Sequence, residues 1–132
     1  MYKAILVGRR IDEGRDLLRE LLKRKFPVAD AFWWHDPETI RWRLYIVSRV
    51  VEKHGPLKAY GDIQRALRSL RPQDISLNNI SVIGPRETDL EEIRRAAAYR
   101  TLPLEGEPAR DATVEDVVEY VWKGDGKVRR NG

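Results

Sequence analysis

Between Ile11 and Leu22 the apolar residues of this chain recur at helical spacing, and between Ala29 and Val47 they alternate. Ile11, Leu17, Leu18, Leu21 and Leu22 fall on one stripe of a helix. Asp12 stands where an N-cap belongs, with Glu13 and Asp16 in the first turn, and Lys23, Arg24 and Lys25 gather where a helix dipole favours cations. Phe26-Pro27 ends the helix. Ahead of it, Tyr2–Gly8 is apolar on both faces and reads as a strand or as an arm packed on the core.

The segment 27–50, PVADAFWWHDPETIRWRLYIVSRV, predicts a β-hairpin turning at Asp36–Thr39. With that turn, partners have numbers summing to 75: Trp33 faces Trp42, Ala31 faces Leu44 and Ala29 faces Ile46. This is the expected core face, with Ser48 at its end. The opposite face carries Val28, Asp30, Phe32 and Trp34 against Arg41, Arg43, Tyr45, Val47 and Arg49. There Trp34 would stack on Arg41 and Phe32 on Arg43 as cation–π pairs, with Asp30 opposite Tyr45.

After the loop His54-Gly55-Pro56, the positions Tyr60, Ile63, Leu67 and Leu70 predict a second amphipathic helix, stopped at Arg71-Pro72. Ile80–Ile83 reads as a short strand. Thr88 and Glu91 form a capping box for a third helix whose inner positions are Leu90, Ile93 and Ala97. Leu102–Asp111 is rich in Pro, Gly and charge and reads as loop. Thr113–Trp122 has both helical spacing and strand-forming residues; a strand over Val117–Trp122 is the preferred reading. The tail 124–132 is expected to fray. The whole is a single α+β domain over 1–132, a mixed sheet with the hairpin 27–50 central and about three helices packed on it.

Composition narrows the chemistry. The chain has 132 residues, 42% hydrophobic and 35% charged, as in a globular domain. It has no cysteine, which excludes disulfides, thiolate nucleophiles and zinc–thiolate sites. No apolar run approaches the roughly 20 residues of a membrane span, and MYKAILVGRR lacks a signal-peptide cleavage region, so a cytoplasmic protein with no membrane partner is expected. The net charge of +4 is unevenly spread. Residues 1–71 hold 16 Lys/Arg against 9 Asp/Glu, and residues 72–119 hold 5 against 11. Such asymmetry suits a polyanion-binding face or electrostatically steered self-association; plain solubility explains it equally well.

No catalytic motif stands out. There is no Walker or Gly-x-Gly-x-x-Gly pattern and no Gly-x-Ser-x-Gly. His35 and His54 lack ligand spacing, and His35, Asp36 and Glu38 read as turn chemistry, so neither metal nor cofactor is expected. Gly8 with Arg9 and Arg10 offers a weak anion site at a helix start. Weak catalytic candidates are Asp30, His35 and Tyr45. The leading expectation is a non-enzymatic protein-interaction module, a homodimer or part of an assembly, using Phe32, Trp34, Arg41, Arg43 and Tyr45. The second is nucleic-acid binding, to RNA or single-stranded DNA, through Arg9, Arg10, Arg41, Arg43, Arg65 and Arg68. A small enzyme of unassigned reaction ranks third.

Gly14-Arg15-x-Leu17-Leu18, Phe26-Pro27-Val28, Ala31-Phe32-Trp33, Trp42-x-Leu44-Tyr45-Ile46 and Gly55-Pro56-x-x-Ala59-Tyr60 together resemble a set of small bacterial hypothetical proteins over about residues 11–85. The resemblance implies a compact bacterial domain and carries no activity and no site residues.

If the hairpin's inner face is the core, Trp33→Ala should cost roughly 3–5 kcal/mol, read from the shift of the urea midpoint at constant m.

Overall fold

The computed structural model describes residues 5–86 and 98–122. In chain order they form α1 (Gly8–Lys23), β1 (Asp30–Asp36), β2 (Arg41–Val47), α2 (Val50–His54), α3 (Pro56–Arg68), β3 (Ile80–Ile83), β4 (Ala98–Pro103) and β5 (Asp116–Val121), with one 3-10 turn at Leu77–Asn79. The strands make one mixed sheet in the order β3-β2-β1-β5-β4. The hairpin β1–β2 and the pair β1–β5 are antiparallel, while β2–β3 and β4–β5 are parallel. This is the α+β domain expected, with the hairpin in the middle of its sheet.

Among the described residues, α1 and α3 pack on one sheet face, where their apolar stripes meet the apolar positions of the strands. Ile11, Leu17, Leu18 and Leu21 of α1 and Ala59, Ile63 and Ala66 of α3 share a core with Ala31, Trp33, Leu44, Ile46, Val118 and Tyr120. Trp33 is fully buried, and Trp42 packs half-buried at the edge of that core. Helix α1 comes unusually close to the sheet at Gly14. A Cβ there would stand 2.4 Å from Tyr120 Oη and 3.1 Å from Trp33 Nε1. The space is used for hydrogen bonds: Trp33 Nε1 donates to Tyr120 Oη at 2.8 Å, and Tyr120 Oη donates to the Ile11 carbonyl.

The hairpin register differs from the expectation by two. Partners sum to 77, so Trp33 faces Leu44, Trp34 faces Arg43, Phe32 faces Tyr45 and Asp30 faces Val47. The cause is the turn, which takes in Ile40. The Ile40 N–H donates to Asp36 O at 2.8 Å, Asp36 Oδ1 accepts from the Glu38 N–H, and Ile40 adopts φ 56°. A shift of two keeps every side chain on its face, since strand side chains alternate with period two. The alternation breaks only at the start of β1. Ala29 N–H donates to Val47 O although Asp30 is the residue opposite Val47, so two residues face one, as in a β-bulge. Val28 therefore joins the helix-side core and Ala29 the other face, the reverse of the expected assignment.

Other differences have equally local causes. Helix α1 begins at Gly8 rather than after Asp12, and in the described part of the N-terminal arm Leu6 makes a single bridge to Ala112. Asp12 Oδ1 accepts the Ala109 N–H, and the start of the helix is held by Asp111 Oδ1 taking the Gly8 N–H at 2.7 Å. The Gly8 N–H, offered by the sequence as a weak anion site, is thus taken by the chain's own carboxylate. Arg49 leads into the short α2, which the alternation of β2 does not announce; Ser48 Oγ accepts the Val50 N–H there. Leu102 and Pro103, expected in a loop, belong to β4, whose residues become a strand only by lying along β5, and Pro103 is tolerated on that outer strand. The expected third helix lies mostly, and the tail 124–132 wholly, outside the described residues.

Burial of the Tyr120 hydroxyl pushes its pKa far above the usual phenol range. Stability from this source is present below about pH 10, the ordinary tyrosine value, and is lost as pH rises beyond it, because only the unfolded chain then ionises. Tyr120→Phe should cost about 1–3 kcal/mol at neutral pH by leaving the buried Trp33 Nε1–H without its acceptor. Its deficit relative to the parent should shrink above about pH 10. Gly14→Ala should be destabilising in the parent and less so in the Tyr120→Phe background, with a coupling of at least about 0.5 kcal/mol in a urea-unfolding cycle.

Candidate anion-binding site

The hairpin face on which the interaction reading rests is largely internal. Phe32 is 1% exposed and Tyr45 9%, and their rings stack at 5.5 Å with an interplanar angle of 13°. They form a second small core with Val47 and Val117. Trp34 is half-buried, tilted against Tyr45 at 5.8 Å. Arg43 does not stack on a ring. Its Nε donates to Ser81 Oγ at 2.7 Å, and its two Nη donate to the carbonyls of Asn78 and Ile80 at 3.0 Å, stitching β2 to the entry of β3. Of that set, Arg41 alone is exposed.

Nor does the fold gather the weak catalytic candidates. Asp30 is buried and accepts the Ala31 N–H at 2.8 Å. His35 sits edge-on to Trp42 at 5.4 Å. The two lie five residues apart on one strand, hence on opposite faces and roughly 16 Å apart along it. Neither they nor Tyr45 line any of the three cavities described below. Among the described residues no group of three or more His, Asp or Glu side chains is arranged to hold a metal.

The six arginines of the nucleic-acid expectation are dispersed. Arg9 pairs with Asp74, Arg43 is spent within the sheet, and Arg68 lines a shallow cavity of about 360 Å³ with Arg71. Arg65 alone lies in the most basic concavity described, a cavity of about 490 Å³ where the end of α1, the entry to β1, α2 and α3 meet. Its charged lining is Arg24, Lys25, Arg49, Lys53, Lys58 and Arg65 against a single carboxylate, Asp62, with His54 beside them. Phe26, Pro27, Leu21 and Val50 give it an apolar floor.

Local structure explains the clustering. Gly55, at φ 87°, breaks the chain between α2 and α3, so Lys53 and His54 end one helix while Lys58 begins the next. Asp62 takes both Lys58, at 3.2 Å, and Arg65, and Arg24 is engaged by Glu20 at 2.7 Å. That contact, above all its hydrogen bond, holds the Glu20 carboxyl below the ordinary range. Lys25, Arg49 and Lys53 have no ion-pair partner among the described residues, so a positive field remains after the internal pairs are counted. Sequence periodicity does not reveal this set. Lys25 fits the helix dipole, Arg49 the strand pattern and Lys58 a solvated helix face; the one available signal is the cationic excess of residues 1–71.

Lys25 also shows strain. The Phe26 N–H bonds to Leu21 O and the Lys25 N–H to Leu22 O, a Schellman ending in which position C′ is left-handed. Glycine is usual there; here a lysine sits at φ 64°. A non-glycine residue in that region costs roughly 1–2 kcal/mol, and such strain tends to sit where a side chain has a task. Lys25→Gly should therefore raise stability, by up to about 1 kcal/mol once the looser unfolded chain is allowed for. The same variant should weaken polyanion binding, measured side by side by urea unfolding and fluorescence anisotropy.

Comparison of the chain with protein-family models, with curated proteins and with solved structures found no match.

Proposed function

We propose that this domain binds nucleic acid through its phosphate backbone, in the basic cavity formed by α1, α2 and α3, without catalysis and without reading base sequence. The observation that carries this is the lining: six Lys/Arg against one Asp in a concavity of about 490 Å³. A polyanion releases counterions for each phosphate that such a surface neutralises, and this release supplies most of the free energy of non-specific binding. The cavity volume lies in the range of ordinary ligand sites, so a nucleotide-sized piece of backbone fits within it. Sequence-independence follows from the rings. Phe32 and Tyr45 are buried in the sheet, and the one ring of Phe, Tyr or Trp in the cavity wall, Phe26, is 6% exposed, so little is offered for bases to stack on. Self-association through the hairpin face, the alternative ranked first from sequence, draws no support from a face whose central rings are covered.

Binding of a labelled single-stranded oligonucleotide should weaken linearly in log salt. Removing Lys53 or Arg49 by alanine should flatten that slope by about 0.7 each, the value per phosphate for single strands, at equal affinity for unrelated base sequences. Arg43→Ala should leave the slope unchanged. Failure of single-stranded RNA and DNA to bind at low salt would remove this reading, and a salt-insensitive partner would point to an apolar protein interface instead.

A further inference from the structure

Three helices wall the basic cavity. The end of α1 brings Arg24 and Lys25, the two ends of α2 bring Arg49 and Lys53, and one face of α3 brings Lys58, Asp62 and Arg65 at i, i+4 and i+7. Helices α2 and α3 are separated by Gly55 alone, so two of the walls meet at a corner. Leu21, Phe26 and Val50, each under 9% exposed, close the floor. Walls on three sides over a closed floor make a recess, which a strand enters by its end; a strand passing through needs a groove open at both ends.

The cations of this recess are within a ligand's reach: Lys25, Arg49, Lys53, Lys58 and Arg65 are all exposed. Lys58 and Arg65 share Asp62, and Arg24 is engaged by Glu20, which leaves Lys25, Arg49 and Lys53 uncompensated among the described residues. Three such charges exceed the single charge of an internal phosphodiester. A terminal phosphomonoester carries about −1.5 to −2 at neutral pH and presents three strong acceptor oxygens, so it matches them more closely. Coulomb attraction scales with charge, and charge-assisted hydrogen bonds are the stronger kind. A second concavity, of about 320 Å³ under the crossover that joins β4 to β5, is different. It is walled by Arg100–Pro103 and Gly106–Arg110 with the buried Arg15 in its lining. There Arg100 donates to the carbonyls of Arg110 and Asp111, and Arg15 to those of Gly106 and Glu107, so both guanidiniums are engaged by backbone.

We propose that the basic cavity holds the terminal phosphate of a nucleic-acid strand, with Lys25, Arg49 and Lys53 as the cations that meet its extra charge; this refinement rests on the nucleic-acid reading of the same cavity. The next phosphates of the strand then lie at the rim, towards Lys58 and Arg65, and the bases stay outside the recess, in keeping with indifference to sequence.

The test compares strands of one sequence ending in a 5′ phosphate or a 5′ hydroxyl, labelled at the far end and read by fluorescence anisotropy at one low salt concentration. A pair with and without a 3′ phosphate repeats the comparison. At one end at least, the phosphorylated strand should bind about tenfold tighter. A hydroxyl-ended strand one nucleotide longer, which has as many phosphates, should not match it. Arg49→Ala and Lys53→Ala, both at exposed positions, should each remove most of that preference, whereas Arg68→Ala, outside the cavity, should keep it. Adenosine 5′-monophosphate should displace the phosphorylated strand only at much higher concentration. Equal binding of phosphate-ended and hydroxyl-ended strands would overturn this inference and leave backbone binding standing; no binding of any strand would remove both. A preference that survives in Arg49→Ala and in Lys53→Ala would overturn it too, as would a mononucleotide that competes as well as the strand, which would assign the cavity to small phosphomonoesters.

Discussion

Everything in this domain is arranged around the contact between α1 and the sheet at Gly14. The helix can lie against Trp33 and Tyr120 only because the residue facing them has no side chain. That closeness places the Ile11 carbonyl, the Tyr120 hydroxyl and the Trp33 indole N–H in one chain of hydrogen bonds inside an otherwise apolar core. Two large polar-tipped rings are thereby buried with their polar atoms satisfied, the condition on which burying such groups depends. The contact also fixes the height and direction of α1, and both concavities have α1 in their walls, one through its C-terminal end and one through the buried Arg15.

The crossover from β4 to β5 shows how that placement propagates. Parallel neighbours are usually joined by a helix packed on the sheet. Here residues 104–115 run irregularly over the start of α1. They satisfy backbone groups through side chains from distant parts of the sequence: Asp12 takes the Ala109 N–H, Asp111 caps Gly8, and Arg15 and Arg19 reach the carbonyls of Glu107 and Leu104. Gly8 is required there, since a Cβ would stand 2.0 Å from the Ala109 carbonyl oxygen. This loop is held by charged side chains as well as by the burial of Leu104 and Ala112, and so carries polarity into the interior, which is how a guanidinium comes to be enclosed.

The basic cavity has a different origin. Its cations come from three helices and a strand end whose outer faces converge, and it is the part of the chain's positive charge that Glu20 and Asp62 leave uncompensated. Two backbone features sharpen it. Gly55 turns the chain between α2 and α3, and the left-handed Lys25 lets α1 end abruptly enough for Phe26 to enter the core while the lysine points to the cavity.

The periodicities of the sequence determine the α+β class, the amphipathic helices, the strand 80–83 and the buried face of the hairpin, because each rests on local spacing that a helix or strand converts directly into a face. Trp33 is recognisable as core for that reason, and a register shift of two leaves the inference intact. What the sequence could not determine were relations between distant segments. β4 is a strand only because β5 lies beside it. Asp12 looks like a helix cap until the crossover claims it, and Phe32 and Tyr45 look like an exposed pair until the sheet's second face is seen to be covered. The two concavities belong to the same class. Lys25, Arg49, Lys53 and Lys58, like Arg15 and Arg110, each have an ordinary local explanation, and line a shared cavity only because tertiary packing brings distant segments together, a relation that no local sequence pattern records.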